Sequence, residues 1–339
     1  MAITISDVAR KAEVSKSTVS KVLNNNPSIS AATKEKINAV IKELNYTPNL
    51  KAVRFAKGVS KNIIFLSNMN ANIAYSDPHM FDIMCGVYHE LSSLNYSMNV
   101  EGLTGMAFPG ERAINSIRSR SADGLIIHGS AATQEICNLL IKENIPHIII
   151  GHPVFRDDLC WIDTDHRGAG IHAASHICTC GYKNPVFIAG RQGDTISDMR
   201  LDGFRQGMLN RGIHFKNTNI IYTDNGMDST YEMLKKSLQN CKFDIAVCEN
   251  STIAFETVRA LKKLKMSISD DISLLTFDSH PFSEIIEPRP TVIELNMLEL
   301  GAQAGRMMIQ KLTNPSVLIQ SYTSIPMLLQ GETTRSTII

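Results

Sequence analysis

The chain has 339 residues, 43% hydrophobic and 20% charged, which is enough for two or three domains with sizeable cores and too apolar for wholesale disorder. Its net charge of +1 argues, taken alone, against a nucleic-acid partner, but residues 1–61 hold 11 Lys/Arg against 4 Asp/Glu, a local +7, and the remainder carries −6. A basic head on a mildly acidic body expects a polyanion at one end only. No apolar run approaches the roughly 20 residues of a membrane helix; Ile145 to Ile150 is interrupted by Pro146 and His147. The opening MAITISDVARKA lacks the apolar stretch of a secretion signal. Seven cysteines, an odd number in a long chain, fit reduced thiols. The expected compartment is therefore the cytoplasm.

In chain order, Thr4 with Asp7 three residues on is a helix-start signal, and Ile5, Val8, Ala9 and Ala12 follow at helical spacing. Glu13-Val14 leaves room only for a tight turn. Ser15 caps a second helix with Val19, Val22 and Leu23 inward, and Asn24-Asn25-Asn26-Pro27 breaks it. Ser30 caps a third helix with the stripe Ile37, Val40, Ile41 and Leu44. Two short helices joined by a tight turn, with a third in support, form a helix-turn-helix pattern. In such a motif the start of the second helix meets base edges in the major groove. Here that start reads Lys16-Ser17-Thr18, with Lys21 one turn later, and these cationic and hydroxyl groups suit base acceptors and phosphates. Pro48 can open, and Gly58 close, one further short helix that would need DNA or a second subunit to be stable.

From about residue 61 onward, short apolar runs alternate with helical patterns, the signature of βαβ units. One set of strands is expected at Asn62–Ser67, Met98–Val100, Gly124–His128, Pro146–Ile150 and Cys160–Asp163. A second set is expected at Val186–Gly190, Asn219–Tyr222, Ile245–Cys248, Ser273–Phe277 and Thr291–Leu295, with helices such as Asp82–Leu94 and Ser251–Leu264 between strands. The fold class is thus α/β: a helix-turn-helix headpiece, residues 1–60, plus two doubly wound parallel-sheet lobes within residues 61–339. Ligands in such sheets bind beyond the carboxyl ends of the strands, where Asp77, Asp163, Arg200, Asn250 and Asp278 fall.

The residues Thr4 to Ala9, Val14 to Ser20, Val22-Leu23-Asn24 and Tyr46-Thr47-Pro48-Asn49 resemble the LacI/GalR transcriptional regulators. The resemblance continues through Asp77-Pro78 leading to Gly86, Asp123-Gly124-Leu125-Ile126, Met199 to Phe204, Asn250, Phe277-Asp278 and Leu298 to Gly301, and so covers essentially the whole chain. Pro27 to Ser30, Ile150-Gly151, Ile162 to Asp165 and Phe277-Asp278-Ser279 are most similar to the maltose and maltodextrin branch.

This resemblance implies a DNA-binding head with a hinge helix, a core like a periplasmic sugar-binding protein, a homodimer or tetramer, and a small effector whose binding sets DNA affinity. The core would divide into an N-lobe at about 61–162 and 293–323 and a C-lobe at about 163–292 and 324–339. Candidate DNA contacts are Thr4, Ser15, Lys16, Ser17, Thr18, Lys21, Asn24, Asn49, Ala52 and Phe55. The family usually has Arg at the position of Lys21, and Lys cannot make the bidentate guanine contact. Phe55 stands where the family carries a Leu that wedges into the minor groove, and Phe is an accepted wedge that kinks DNA. Candidate effector contacts are Asp77, Trp161, Arg200, Asn250 and Asp278. Arg200, Asn250 and Asp278 supply planar polar groups for paired hydroxyls, or else cap helices and pair across the cleft. Trp161, the only Trp, either stacks on a sugar ring or packs within its strand. Asn225-Gly226-Met227 replaces a frequent aromatic platform, and Gly151 replaces an Asp found in some members.

His172, His176, Cys178 and Cys180 suggest a metal cluster, but no second cysteine pair stands at a zinc spacing. His89-Glu90 begins a zincin motif that fails at Ser93, and no nucleophile elbow, P-loop or dinucleotide fingerprint is present. Neither an enzyme, a cofactor nor a metal is expected. The leading expectation is a transcriptional regulator, in the first instance a repressor, that binds palindromic operator DNA and responds to a small effector such as maltose or a maltodextrin. The alternatives are a cytoplasmic carbohydrate-binding protein without a role on DNA, and a corepressor-dependent regulator of a non-sugar pathway.

Overall fold

The structure is a computed structural model that describes residues 3–47, 59–69, 79–103, 110–223, 227–279, 285–316 and 319–335. Its contacts divide the chain into two units, a small one built on Met1–Lys61 and a large one beginning at Asn62.

The small unit holds α1 (Ile5–Lys11), α2 (Lys16–Leu23) and α3 (Ala31–Glu43). The Asp7 carboxylate accepts from the Thr4 backbone N–H at 3.0 Å and from its hydroxyl at 2.7 Å, which fixes the first turn of α1. Ser15 and Ser30 cap α2 and α3 by accepting from the N–H groups of Thr18 and Thr33. Between α1 and α2 the chain turns through Glu13, whose φ of 55° is left-handed. The inward stripes meet in a core of Val8, Ala9, Ala12, Val19, Val22 and Ile37.

The large unit contains two six-stranded sheets. The first is assembled from β1 (Asn62–Ser67), β2 (Ser97–Gly102), β3 (Gly124–His128), β4 (His147–Ile150), β5 (Trp161–Thr164) and β11 (Ser321–Ser324), in the order β11-β5-β4-β3-β1-β2. The second has the order β12-β10-β9-β8-β6-β7, from β6 (Pro185–Ala189), β7 (Ile220–Tyr222), β8 (Ile245–Cys248), β9 (Ser273–Phe277), β10 (Thr291–Glu294) and β12 (Met327–Leu329). Every pairing is parallel except β10 with β12, so the expected doubly wound parallel lobes are present with one antiparallel edge strand. Strands β1, β3, β8 and β9 have the bounds expected from their apolar runs, and the other expected strands shift by one or two residues. β11 and β12 were not expected from the sequence. They lie on sheet edges with mostly exposed side chains and lack a buried run to mark them.

The helices between strands are α4 (His79–Ser93), α5 (Glu111–Arg118), α6 (Gln134–Lys142), α7 (His166–Thr179), α8 (Thr195–Leu209), α9 (Met227–Asn240), α10 (Ser251–Lys263) and α11 (Met297–Thr313). The chain passes from one lobe to the other at 164–166, 294–297 and 324–327, since β10 and β12 belong to the second sheet while α11 packs on α4 and β11 joins the first. The carboxyl ends of β3, β4 and β5 and of β6 and β8 consequently open on one cavity. Among the described residues, no helix is long and apolar enough to cross a membrane.

Candidate functional site

In the head, Lys16, Ser17 and Lys21 are exposed on α2, Thr18 is half-buried, and Thr4, Ser15 and Asn24 are exposed at helix ends. Ser15 Oγ lies 2.7 Å from Ser17 Oγ and 2.8 Å from Thr18 Oγ1, so the start of α2 presents a hydroxyl cluster beside two lysines. Asn24 turns back to donate to the Ser20 carbonyl at 2.8 Å. The other candidate DNA contacts, Asn49, Ala52 and Phe55, lie outside the described residues, as does the expected hinge helix.

In the core, a cavity of about 460 Å³ lies between the two sheets. The first lobe contributes His79 and Ile83 from α4, His128 to Ser130 after β3, Ile150 and Gly151 after β4, Asp163 of β5, and Met297 and Leu300 of α11. The second contributes His166 of α7, Gly190 and Arg191 after β6, Asp194, Ile196 and Arg200 around the start of α8, and Glu249, Asn250 and Thr252 at the start of α10. Its volume and mix of apolar wall and convergent polar groups suit a small ligand.

Arg200 is buried, 4% exposed. Its Nη1 donates to the Glu249 carbonyl at 2.6 Å, its Nη2 lies 3.4 Å from His166 Nδ1, and its guanidinium sits 5.2 Å from the centre of the Phe277 ring. Its buried Nε has no hydrogen-bond partner among the described residues. Burial lowers the Arg200 pKa, against the attraction of Glu249, Asp278, Asp194 and Asp163. Glu249 is itself held by the Gly190 N–H at 2.5 Å and the Ser197 hydroxyl at 2.8 Å. Asp163 accepts from the N–H groups of His152 at 2.9 Å and Thr164 at 2.8 Å, and pairs with His166 at 3.3 Å. Burial pushes its carboxyl up, but these partners outweigh that and hold it below the ordinary value.

Of the candidate effector contacts, Arg200 and Asn250 line the cavity together, and Asn250 also caps α10 by accepting from the Ile253 N–H at 2.9 Å. Asp278 does not line it. Its backbone adopts φ 77°, its carboxylate is 3% exposed, and His79 of the opposite lobe covers it at 2.6 Å. Trp161 is likewise outside the lining: its ring lies 4.3 Å from that of His152, so it packs along β5 rather than into the cavity. Asp77 lies outside the described residues. Gly151 lines the cavity at φ 107°, a conformation a side chain there would strain. Sequence reasoning did not single out His79, His128, Arg191, Asp194 or Glu249. His79 heading a helix after Pro78, and Glu249 next to Asn250 at a strand end, are the signals that could have marked two of them.

His176 Nε2 is 2.9 Å from the Thr334 hydroxyl and 3.6 Å from Cys180 Sγ, and the Cys180 thiol donates to the Arg335 carbonyl at 3.1 Å. No group of three or more His, Cys, Asp or Glu is arranged to hold a metal ion among the described residues.

Residues 4–49 match the bacterial regulatory proteins of the lacI family, and residues 174–334 match the periplasmic binding protein-like domain. The chain is similar to the HTH-type transcriptional regulator MalR of Staphylococcus xylosus, 26% identical over 96% of this chain and 95% of that protein. It is also similar to the HTH-type transcriptional regulator DegA of Bacillus subtilis, 28% identical over 96% and 99%. Among solved structures, the lac repressor dimer bound to operator and the anti-inducer ONPF superposes with a TM-score of 0.83 at 21% identity, over 99% of this chain and 100% of that one. A helix-turn-helix head followed by a two-lobed binding-protein core makes this chain a DNA-binding transcriptional regulator. It carries a lacI-family head and a periplasmic binding protein-like core.

Proposed function

We propose that the protein is a cytoplasmic repressor whose affinity for a palindromic operator is set by a sugar bound between the lobes of its core. The buried Arg200, whose Nε meets no acceptor among the described residues, carries this reading. A guanidinium in a cavity that also presents carboxylates, Asn250 and imidazoles beside an apolar wall is suited to sugar hydroxyls, which both donate and accept. The resemblance to the maltose branch, and relatives named MalR, make maltose and maltodextrins the first compounds to try.

Effector binding would draw the lobes together and shift the balance between two states of the protein, only one of which pairs its heads on DNA. The active form is a two-fold dimer that reads two half-sites. Phe81 and Tyr88, 68% and 57% exposed on α4, offer an apolar face of the kind such a dimer covers. Lys16, Lys21 and the hydroxyls of Ser17 and Thr18 make the major-groove contacts, and Phe55 wedges into the central step.

A gel shift on a palindromic site at physiological salt, with and without maltose, maltotriose and cellobiose, tests the reading. Sequence-specific binding that one of these sugars weakens is expected. Absence of specific binding sinks the regulator reading; strengthening by the sugar instead assigns a corepressor. Phe55→Ala should weaken operator binding at fixed salt, and equal affinity would remove the wedge.

A further inference from the structure

The imidazole Nε2 of His79 lies 2.6 Å from the carboxylate of Asp278, an ion pair when the imidazole is protonated, and this contact joins the two lobes from the first turn of α4 to the loop after β9. Their side chains are 19% and 3% exposed, so solvent and salt screen the pair weakly. The contact exists only while the lobes are together. We infer that this pair is a proton-sensitive latch on the cavity, by which acidification draws the lobes together as the effector does and thereby releases DNA. The inference rests on the regulator reading above.

An imidazole that gains a carboxylate partner on closure holds its proton more tightly in the closed form than in the open one. Protonation therefore favours closure. By linkage the contribution is full below the ordinary histidine range and is lost as pH rises through the raised value of the closed form. The charges around the pair do not cancel this effect. Asp163, Asp194 and Glu249 on the cavity wall, and Asp82 on α4 itself, are acidic neighbours that favour a cationic His79. Arg191 and Arg200 line the same cavity and oppose it. His128 and His166 line the same cavity, so the His79 contribution must be isolated by substitution.

The head makes this measurable without knowing the effector. Residues 1–61 contain no histidine, so no side chain of the DNA-binding unit ordinarily changes charge between about pH 6 and 8. A pH dependence of operator affinity in that window that His79→Gln removes is thus transmitted from the core.

The experiment measures operator affinity of the full chain by fluorescence anisotropy from pH 6 to 8 at fixed ionic strength. It uses a palindrome selected by the protein from a random library at pH 8, with a scrambled duplex as reference. Wild type should lose about fivefold or more of its specific affinity on going from pH 8 to pH 6. His79→Gln and Asp278→Asn, which remove the charge from opposite sides of the pair, should each reduce the change to less than about twofold. Thermal melts at both pH values separate unfolding from loss of the latch. A flat wild-type profile, or a folded His79→Gln protein with the wild-type slope, overturns the inference. Failure to select any operator at pH 8 overturns the regulator reading instead.

Discussion

Gly170 on α7 and Gly203 on α8 lie so close to the opposing helix that neither has room for a side chain. A methyl group on Gly170 would meet the Arg200 carbonyl, and one on Gly203 would meet the Arg167 carbonyl. Gly86 of α4 and Gly301 of α11 repeat this arrangement in the other lobe, against the carbonyls of Leu298 and Ile83. Each lobe thus has one helix pair in backbone contact, and the one in the second lobe carries Arg200, less than a turn from Gly203. Gly203→Ala should therefore cost about 1–3 kcal/mol through overpacking and displace the guanidinium. A lower melting temperature and a weaker sugar-induced shift in the same variant are the expected readouts.

Arg200 reaches the Glu249 carbonyl and His166 with two different nitrogens. A lysine keeps the charge but cannot span both acceptors, so Arg200→Lys should abolish most of the sugar response. Arg200→Met strands the surrounding carboxylates and should cost about 3–5 kcal/mol. Chemical denaturation gives the second figure, and titration with the sugar that releases operator gives the first.

Lys16 and Lys21 are exposed on α2 and can be changed without disturbing the head core of Val8, Val19 and Ile37. Lys16→Ala should weaken operator and scrambled DNA alike and reduce the salt slope by about 1. Lys21→Arg adds a bidentate fork and should instead shift sequence preference. Affinities measured across a salt series on two sequences distinguish the outcomes.

His147 is 4% exposed; its Nδ1 donates to the Ile145 carbonyl at 2.7 Å, and its Nε2 accepts from the Cys160 N–H at 3.2 Å. Burial holds its pKa below the ordinary histidine value of 6.5, with the Ile145 bond opposing. The unfolded chain therefore takes up this proton first. The stability His147 supplies is full above that ordinary value and is lost as pH falls toward the depressed one. Melting temperature should fall between about pH 7 and 5, and less steeply in His147→Gln.

Burial pushes the Cys248 thiol up to about 12 and the Cys137 thiol to about 11. Both should resist maleimide in the native protein, while the partly exposed Cys85 and Cys241 react. Mass spectrometry of labelled peptides checks this, and early labelling of Cys248 would contradict its burial.

Much of the fold was legible in local pattern. The runs that became β1, β3, β8 and β9 are short and continuously apolar, since both faces of a parallel strand are buried. Ser15 and Ser30 were legible as caps because a cap contacts only its own first turn. Arg200 and Asn250 were legible as cavity residues because a strand end or helix start sets their direction locally.

Asp278 and Trp161 were not legible in the same way. Asp278 stands at the expected strand end, but a histidine about 200 residues earlier in the chain takes its carboxylate. Trp161 has the right chemistry for a sugar ring, but its place on β5 brings it against His152 instead.

The sequence by itself determined the two-part plan: a +7 head with helix-turn-helix spacing, followed by an alternating βαβ core. Charge, capping and hydrophobic period are properties of short stretches of chain. Tertiary structure alone decided which polar groups converge and which cover one another, because the chain crosses between the lobes repeatedly and sets residues far apart in sequence within hydrogen-bond distance. The pairing of His79 with Asp278 is a consequence of that crossing.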